Sequence, residues 1–287
     1  MVQATPDSIP LETPLAIPEP GALTAVRRAE WHPGTVSQDV PHAEIFARGG
    51  EATGAALALA FARDRMRAAR PDPVADVPDE RMWLWVQDRE ALRRSGRPYR
   101  PGLPRGLRHR LIHVAAASAE DALFALEEGL RCRDLAFVVG EIAGNPRALD
   151  FTASRRLSLA AERHGVPFWL VRIDARRDLS SARMRWEAGA AASPPPRWNP
   201  QAPGTPSWSA ELFRARRHPP GMWALRDDGV LTAERPKPRS RATATGSQAG
   251  AMLPHGLFGA MLFRQPTPSH QSTPGASGMP EPRIETG

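Results

Sequence analysis

The chain has 287 residues, a formal net charge of +7, 31 prolines and one cysteine. A lone cysteine excludes an intrachain disulfide and any multi-cysteine zinc site, since structural zinc takes four ligands that are usually paired in sequence. The positive balance permits attraction to phosphate polyanions without demonstrating it; it is almost all arginine, because the single lysine, Lys237, lies in the tail.

Residues 1–41 read as a mostly disordered segment. Prolines are dense in residues 1–20, as they are again in 194–206 and 236–282, and they oppose sustained helix or central strand. The opening residues lack a basic stretch followed by an apolar run, and no segment approaches the roughly 20 apolar residues of a membrane span. A cytoplasmic protein is the expectation.

Residues 42–232 read as one core domain. His42 to Ala47 (HAEIFA) is a strand that leads through a glycine turn into a helix from about Thr53 to Arg70. Met82 to Val86 (MWLWV) is a buried strand, followed by the short helical stretch DREALRR, in which Asp88 suits a helix cap. Leu111 to Ala115 is the next strand. Ser118-Ala-Glu-Asp121 then has the outline of a capping box and starts a helix. Leu135 to Val139 (LAFVV), Asp150 to His164 and Val166 to Ile173 continue as strand, helix and strand. Strands separated by helices of this length predict an α/β fold with a mainly parallel sheet. Beyond Arg183, ARMRWEAG, SWSAELFRARR and MWALRDDGV lack intervening helices, which predicts an antiparallel extension of that sheet.

Residues 233–287 form a basic, proline-rich tail, expected to be disordered because it cannot bury enough apolar surface to offset its ordering entropy. An apolar island interrupts it at 252–263 (MLPHGLFGAMLF). It is either loosely packed chain or a docking motif that orders on a partner.

Ligands of a parallel sheet gather at the carboxyl ends of its strands. That edge here comprises Gly49 to Thr53, Gln87 to Arg89, Ala116 to Ala119, Gly140 to Arg147 and Asp174 to Ser181. The first of these, in RGGEATGAALALAF, spaces Gly49 and Gly54 as in the phosphate-binding pattern G-x-x-x-x-G-K-[ST], with Gly50 between them. Ala55 and Ala56 stand where lysine and a hydroxyl would serve the phosphates and Mg²⁺. The acid expected on a second strand is also displaced, because LAFVV runs into Gly140 and Glu141 follows one residue later. Gly49, Gly50 and Gly54 therefore read as a vestigial nucleotide turn, with no catalytic residue and no cofactor. ATP hydrolysis is the disfavoured reading.

The loop 93–110 carries Arg93, Arg94, Arg97, Tyr99, Arg100, Arg105, Arg108 and Arg110 and no acidic residue. It could track phosphates with Tyr99 stacking on a base, or contact a partner, or be a solvated loop without a dedicated ligand. Because it joins a helix end to a strand start, its expected place is the edge opposite the glycine turn. Arg172, Arg176, Arg177, Arg183 and Arg185 form a second cluster on the turn's own edge. The histidines have no i, i+4 helical pair and the chain has no G-x-S-x-G elbow, so zinc-protease and serine-hydrolase chemistry lack support. Cys132 at a helix end reads as structural.

Three blocks, AEDALFALEEGLRC, then LAFVVGEIAGNPRALDFTASRRLSLAAERHGVPFWLVR, then RWNPQAPGTPSWSAELFRAR, resemble the ImuA family of bacterial RecA-like proteins, as does WVQDREALRRSGRPYRPGL. The resemblance covers roughly residues 42–230. It implies a RecA-like core and a non-catalytic accessory role in damage-induced (SOS) mutagenesis and translesion synthesis. The implied partners are an ImuB-type protein, an error-prone DNA polymerase and RecA, with DNA as a further ligand and no membrane. Some relatives carry a SulA-like label, which would instead imply inhibition of cell division. An ATP-dependent, DNA-binding recombinase-like protein is the other alternative, and the two alanines weigh against it.

Overall fold

A computed structural model describes residues 42–69, 79–216, 218–236 and 264–265. The segment 1–41, most of the tail and the island 252–263 lie outside the described residues. Nine strands form one sheet in the order β10-β9-β8-β7-β1-β6-β5-β2-β4. They are β1 (His42–Ala47), β2 (Met82–Gln87), β4 (Leu111–Ala115), β5 (Leu135–Ala143), β6 (Phe168–Ile173), β7 (Met184–Ala190), β8 (Ser207–Ala215), β9 (Gly221–Asp227) and β10 (Leu231–Glu234). The two-residue strand β3 (Arg97–Pro98) pairs apart from this sheet, antiparallel with β11 (Arg264–Gln265) in the tail. The helices are α1 (Thr53–Ala68), α2 (Arg89–Ser95), α3 (Ala119–Arg131) and α4 (Phe151–His164).

The expected α/β architecture is present: a mainly parallel sheet flanked by helices, with antiparallel strands at its C-terminal side. Two details differ from the expectation. β7 pairs parallel with β1, so the antiparallel part begins only at β8. A ten-residue connection, Asp174 to Arg183, carries the chain back along the sheet without a helix. The reading of residue 233 as the start of the tail also cuts through β10, whose Leu231 is buried against the core beside α1. A four-residue strand with one buried apolar side chain leaves little signal in sequence.

Handedness fixes the layers. A right-handed crossover puts its connection on one face or the other according to the direction in which it moves along the sheet. From β1 to β2 and from β2 to β4 the chain moves one way, and α1 with the loop after α2 covers one face. From β4 to β5, β6 and β7 it moves the other way, and α3, α4 and the 174–183 connection cover the opposite face.

The α1 face is lined by Ile45, Trp83, Trp85, Phe137, Val139, Trp169 and Trp186, with Leu103 and Leu107 of the arginine loop closing it. Trp83 stacks on Phe137 at 4.9 Å and donates its indole N–H to the Leu107 carbonyl at 2.9 Å. Helix α1 is made of small and apolar residues on almost every side of its first half, which suits a helix buried in the middle of a layer. The other face holds Leu84, Leu126, Leu130, Val138, Ile142, Leu157 and Leu170.

Local signals in the sequence place the helix starts. Asp88, Ser118 and Asp150 cap α2, α3 and α4 by accepting the N–H of Ala91, Asp121 and Ala153. Gly165 ends α4 in the left-handed conformation. None of the described helices is long and apolar enough to cross a membrane.

Candidate functional site

Adjacent strands whose connections leave for opposite faces open a crevice at their carboxyl ends, and ligands of parallel sheets sit there. β1 leads to α1 on one face, and its neighbour β6 leads to the 174–183 connection on the other. The turn with Gly49, Gly50 and Gly54 stands at this crevice. Gly50 has φ +83°, the left-handed region that favours glycine. Gly54 lies so close to the sheet that a side chain would press on Val171 at 2.6 Å and on Ala47 at 2.8 Å. A tight strand-turn-helix is therefore present, and Ala55 and Ala56 follow Gly54 in the first turn of α1.

A carboxylate of the protein itself meets this turn. Asp174, the residue after β6, accepts the Gly49 N–H at 2.7 Å and the Arg94 guanidinium at 2.6 Å. Its backbone has φ +50°, the one positive value of a non-glycine among the described residues. The Gly49 N–H bond holds its carboxyl below the usual carboxylate range, with Arg94 acting in the same direction, so it is ionised at neutral pH. Below the turn, a cavity bounded by Gly54, Ala55, Trp85, Gln87 and Glu141 has a volume of about 20 Å³. That is room for about one water.

The second-strand acid must be placed differently from the sequence reading. β5 does not stop at Val139 but runs to Ala143. Gly140 points to the α3 side, where a side chain would meet Leu126 at 2.9 Å and Leu170 at 3.1 Å. Glu141 points to the α1 side and is buried next to the turn. Glu141 thus stands on the face where an acid would meet a bound nucleotide, and glycine at 140 is a packing requirement. Gln87 of β2 donates to Glu141 at 2.8 Å and to the Gly96 carbonyl at 3.0 Å, and its oxygen meets His113 Nε2 at 2.8 Å. Burial, with Arg97 and Arg100 nearby, lowers the His113 pKa to about 4, so its imidazole is neutral and Nε2–H donates to Gln87. Alternation along β5, with Gly140 counted as strand, is the signal that would have located Glu141.

The arginine loop is not confined to the opposite edge. α2 has seven residues, too few to recross the sheet, so Arg93 to Pro98 stay beside the glycine turn and the loop itself makes the return. Arg93 and Arg94 both pair with Glu90 at 2.6 Å. Further along, Arg100 donates to the Leu111 carbonyl, Arg108 to that of Leu103, and Arg110 to those of Gly106 and Arg81. Arg97 and Arg105 are exposed and make no side-chain hydrogen bond among the described residues, and Tyr99 is half-buried. Of the eight residues grouped by sequence, Arg94, Arg100, Arg108 and Arg110 brace the fold, Arg93 pairs with Glu90 at the surface, and Arg97 and Arg105 carry exposed side chains.

In the second arginine cluster, Arg172 and Arg185 are buried and Arg176 and Arg177 are exposed. Arg185 donates to Glu44 at 2.7 Å, and Arg172 binds Asp178 through both terminal nitrogens at 3.2 and 3.0 Å. Glu44 also accepts from Ser180 at 2.6 Å, and Arg185 donates to the Asp178 carbonyl at 2.7 Å. Arg177 pairs with Glu187 and Glu211, and Arg183 pairs with Glu162. These contacts brace the 174–183 connection; Arg176 is exposed and makes no side-chain hydrogen bond among the described residues. The sequence reading missed Glu44, which lies unremarked inside the strand HAEIFA. Cys132 is exposed at the end of α3. Among the described residues no group of three or more His, Cys, Asp or Glu side chains could hold a metal ion.

No family model matches the chain. It is similar to Protein ImuA of Caulobacter vibrioides, strains NA1000 / CB15N and ATCC 19089 / CIP 103742 / CB 15, at 35% identity over 127 residues in each case. The match covers 40% of this chain and 50% of the relative, so the chain spans about half the length of the curated relatives it matches. The resemblance to ImuA read from the sequence is borne out.

Proposed function

We propose that the protein is a non-catalytic accessory factor of damage-induced (SOS) mutagenesis and translesion DNA synthesis. It works by contact with an ImuB-type protein, an error-prone DNA polymerase and RecA. The observation that carries this reading is the 35% identity to ImuA over 127 residues. Two features of the turn support the non-catalytic part: alanines stand at the positions of the phosphate-binding lysine and the metal-binding hydroxyl, and the adjoining cavity is water-sized. Glu141 alone cannot supply phosphoryl transfer, which rests on positioned cations around the phosphates.

The test is genetic. Cells lacking this chain should give fewer mutants per survivor after ultraviolet damage, and the intact chain should restore the frequency in the presence of the ImuB-type protein and the polymerase. Unchanged mutation frequency in the deletion would overturn the reading.

A further inference from the structure

The glycine turn lacks a lysine, yet its backbone shape and two nearby arginines would still favour an anion. The Gly49 N–H points out of the β1/β6 crevice, Arg94 reaches the same point from α2, and the charge of Arg48 is felt there as well. Such a set of a backbone N–H and guanidinium groups binds oxyanions. Here it is already engaged by Asp174. A side chain on residue 49 would collide with the Asp174 carboxylate, so the approach is possible only because residue 49 is glycine. Asp174 adopts its positive φ in a chain that could have used glycine, and its side chain is held at both oxygens, Oδ1 by Gly49 and Oδ2 by Arg94.

We propose that Asp174 is a built-in anion that closes a residual phosphate site made by the Gly49 N–H and Arg94. The carboxylate takes the place of a phosphate oxygen and repels any phosphate that approaches. This inference deepens the non-catalytic reading and rests on it. It assigns the exclusion of phosphate to one side chain, in addition to the two missing P-loop residues.

The probe is inorganic pyrophosphate, titrated by calorimetry at constant ionic strength into the full chain and its variants. Asp174→Gly removes the carboxylate and suits the positive φ; Asp174→Asn keeps an acceptor and the backbone conformation while removing the charge. The wild type should show no saturable binding. Asp174→Gly should bind pyrophosphate saturably, Asp174→Asn should bind it more weakly, and Arg94→Ala added to Asp174→Gly should abolish the binding. Circular dichroism confirms that each variant is folded. A folded Asp174→Gly chain that binds no pyrophosphate overturns the inference and leaves the accessory role intact, as does binding that survives Arg94→Ala. Saturable binding and turnover of ATP by the wild type would instead overturn the non-catalytic reading itself.

Discussion

The 174–183 connection is held at two places by opposite means. At its start, Asp174 bridges Gly49 and Arg94 where its side chain is 39% exposed and that of Arg94 33%. Farther along, Ser180 and the backbone of Asp178 lock onto Glu44 and Arg185, whose side chains are 0% and 4% exposed, beside Arg172 at 1%. Water screens the first contact, so it contributes little to stability. The second is sealed. A charge stranded there has no solvent to turn to, so its partners are obligatory. The connection is therefore held by a weak, screened contact at one end and by a sealed, fixed anchor farther along.

The sharpest way to break this comparison is to unpair the buried anchor. Glu44→Ala removes the carboxylate that Arg185 meets at 2.7 Å, leaving it Asp178 at 3.4 Å, and should destabilise the chain by about 3 kcal/mol, read as a large fall in the denaturant midpoint. A loss under about 1 kcal/mol would place Glu44 in the same class as the exposed pairs.

Acid should act next. Burial lowers the His42 pKa to about 4, and the ring packs on Phe168 with Nδ1 on Ser158 at 2.6 Å. The unfolded chain, with an ordinary histidine near 6.5, binds more protons over that interval. Stability is therefore full above about pH 6.5 and falls as pH drops toward about 4, by on the order of 3 kcal/mol for this residue. His113 acts in the same direction. Denaturant titrations at several pH values check this, and His42→Gln should remove about half of the slope, with His113 supplying the rest.

Smaller effects belong to the exposed side. Asp174→Gly should change stability by no more than about 1 kcal/mol, since it removes a screened pair and relieves a strained backbone. If the arginine loop binds DNA, Arg97→Ala with Arg105→Ala should weaken salt-sensitive binding, and Arg108→Ala, which loses an internal brace to Leu103, should show mainly in thermal stability. Equal effects on DNA binding would erase the division between braces and open arginines.

The periodic features of this chain were legible in sequence. Apolar runs such as LIHVA and FWLVRI, the caps Asp88, Ser118 and Asp150, and Gly165 each act locally, and the elements they mark are present at nearly the expected bounds. What escaped was long-range. Gly140 looked like a strand end because glycine weakens strands, whereas α3 needs the space there. The arginines looked like an open cluster because Glu44, Glu187 and Glu211 reach them only through the sheet. Sequence placed Asp174 on the same sheet edge as the turn, but not the bond it makes to Gly49, 125 residues away. Fold followed from local pattern; the state of the candidate site depended on contacts that local pattern does not encode.

The most direct measurement is the association of the purified full chain with an ImuB-type protein, followed by light scattering or calorimetry with and without ATP and Mg²⁺. The account predicts a complex whose affinity is the same in both conditions. Failure of two folded proteins to associate, or association that requires ATP, would contradict it.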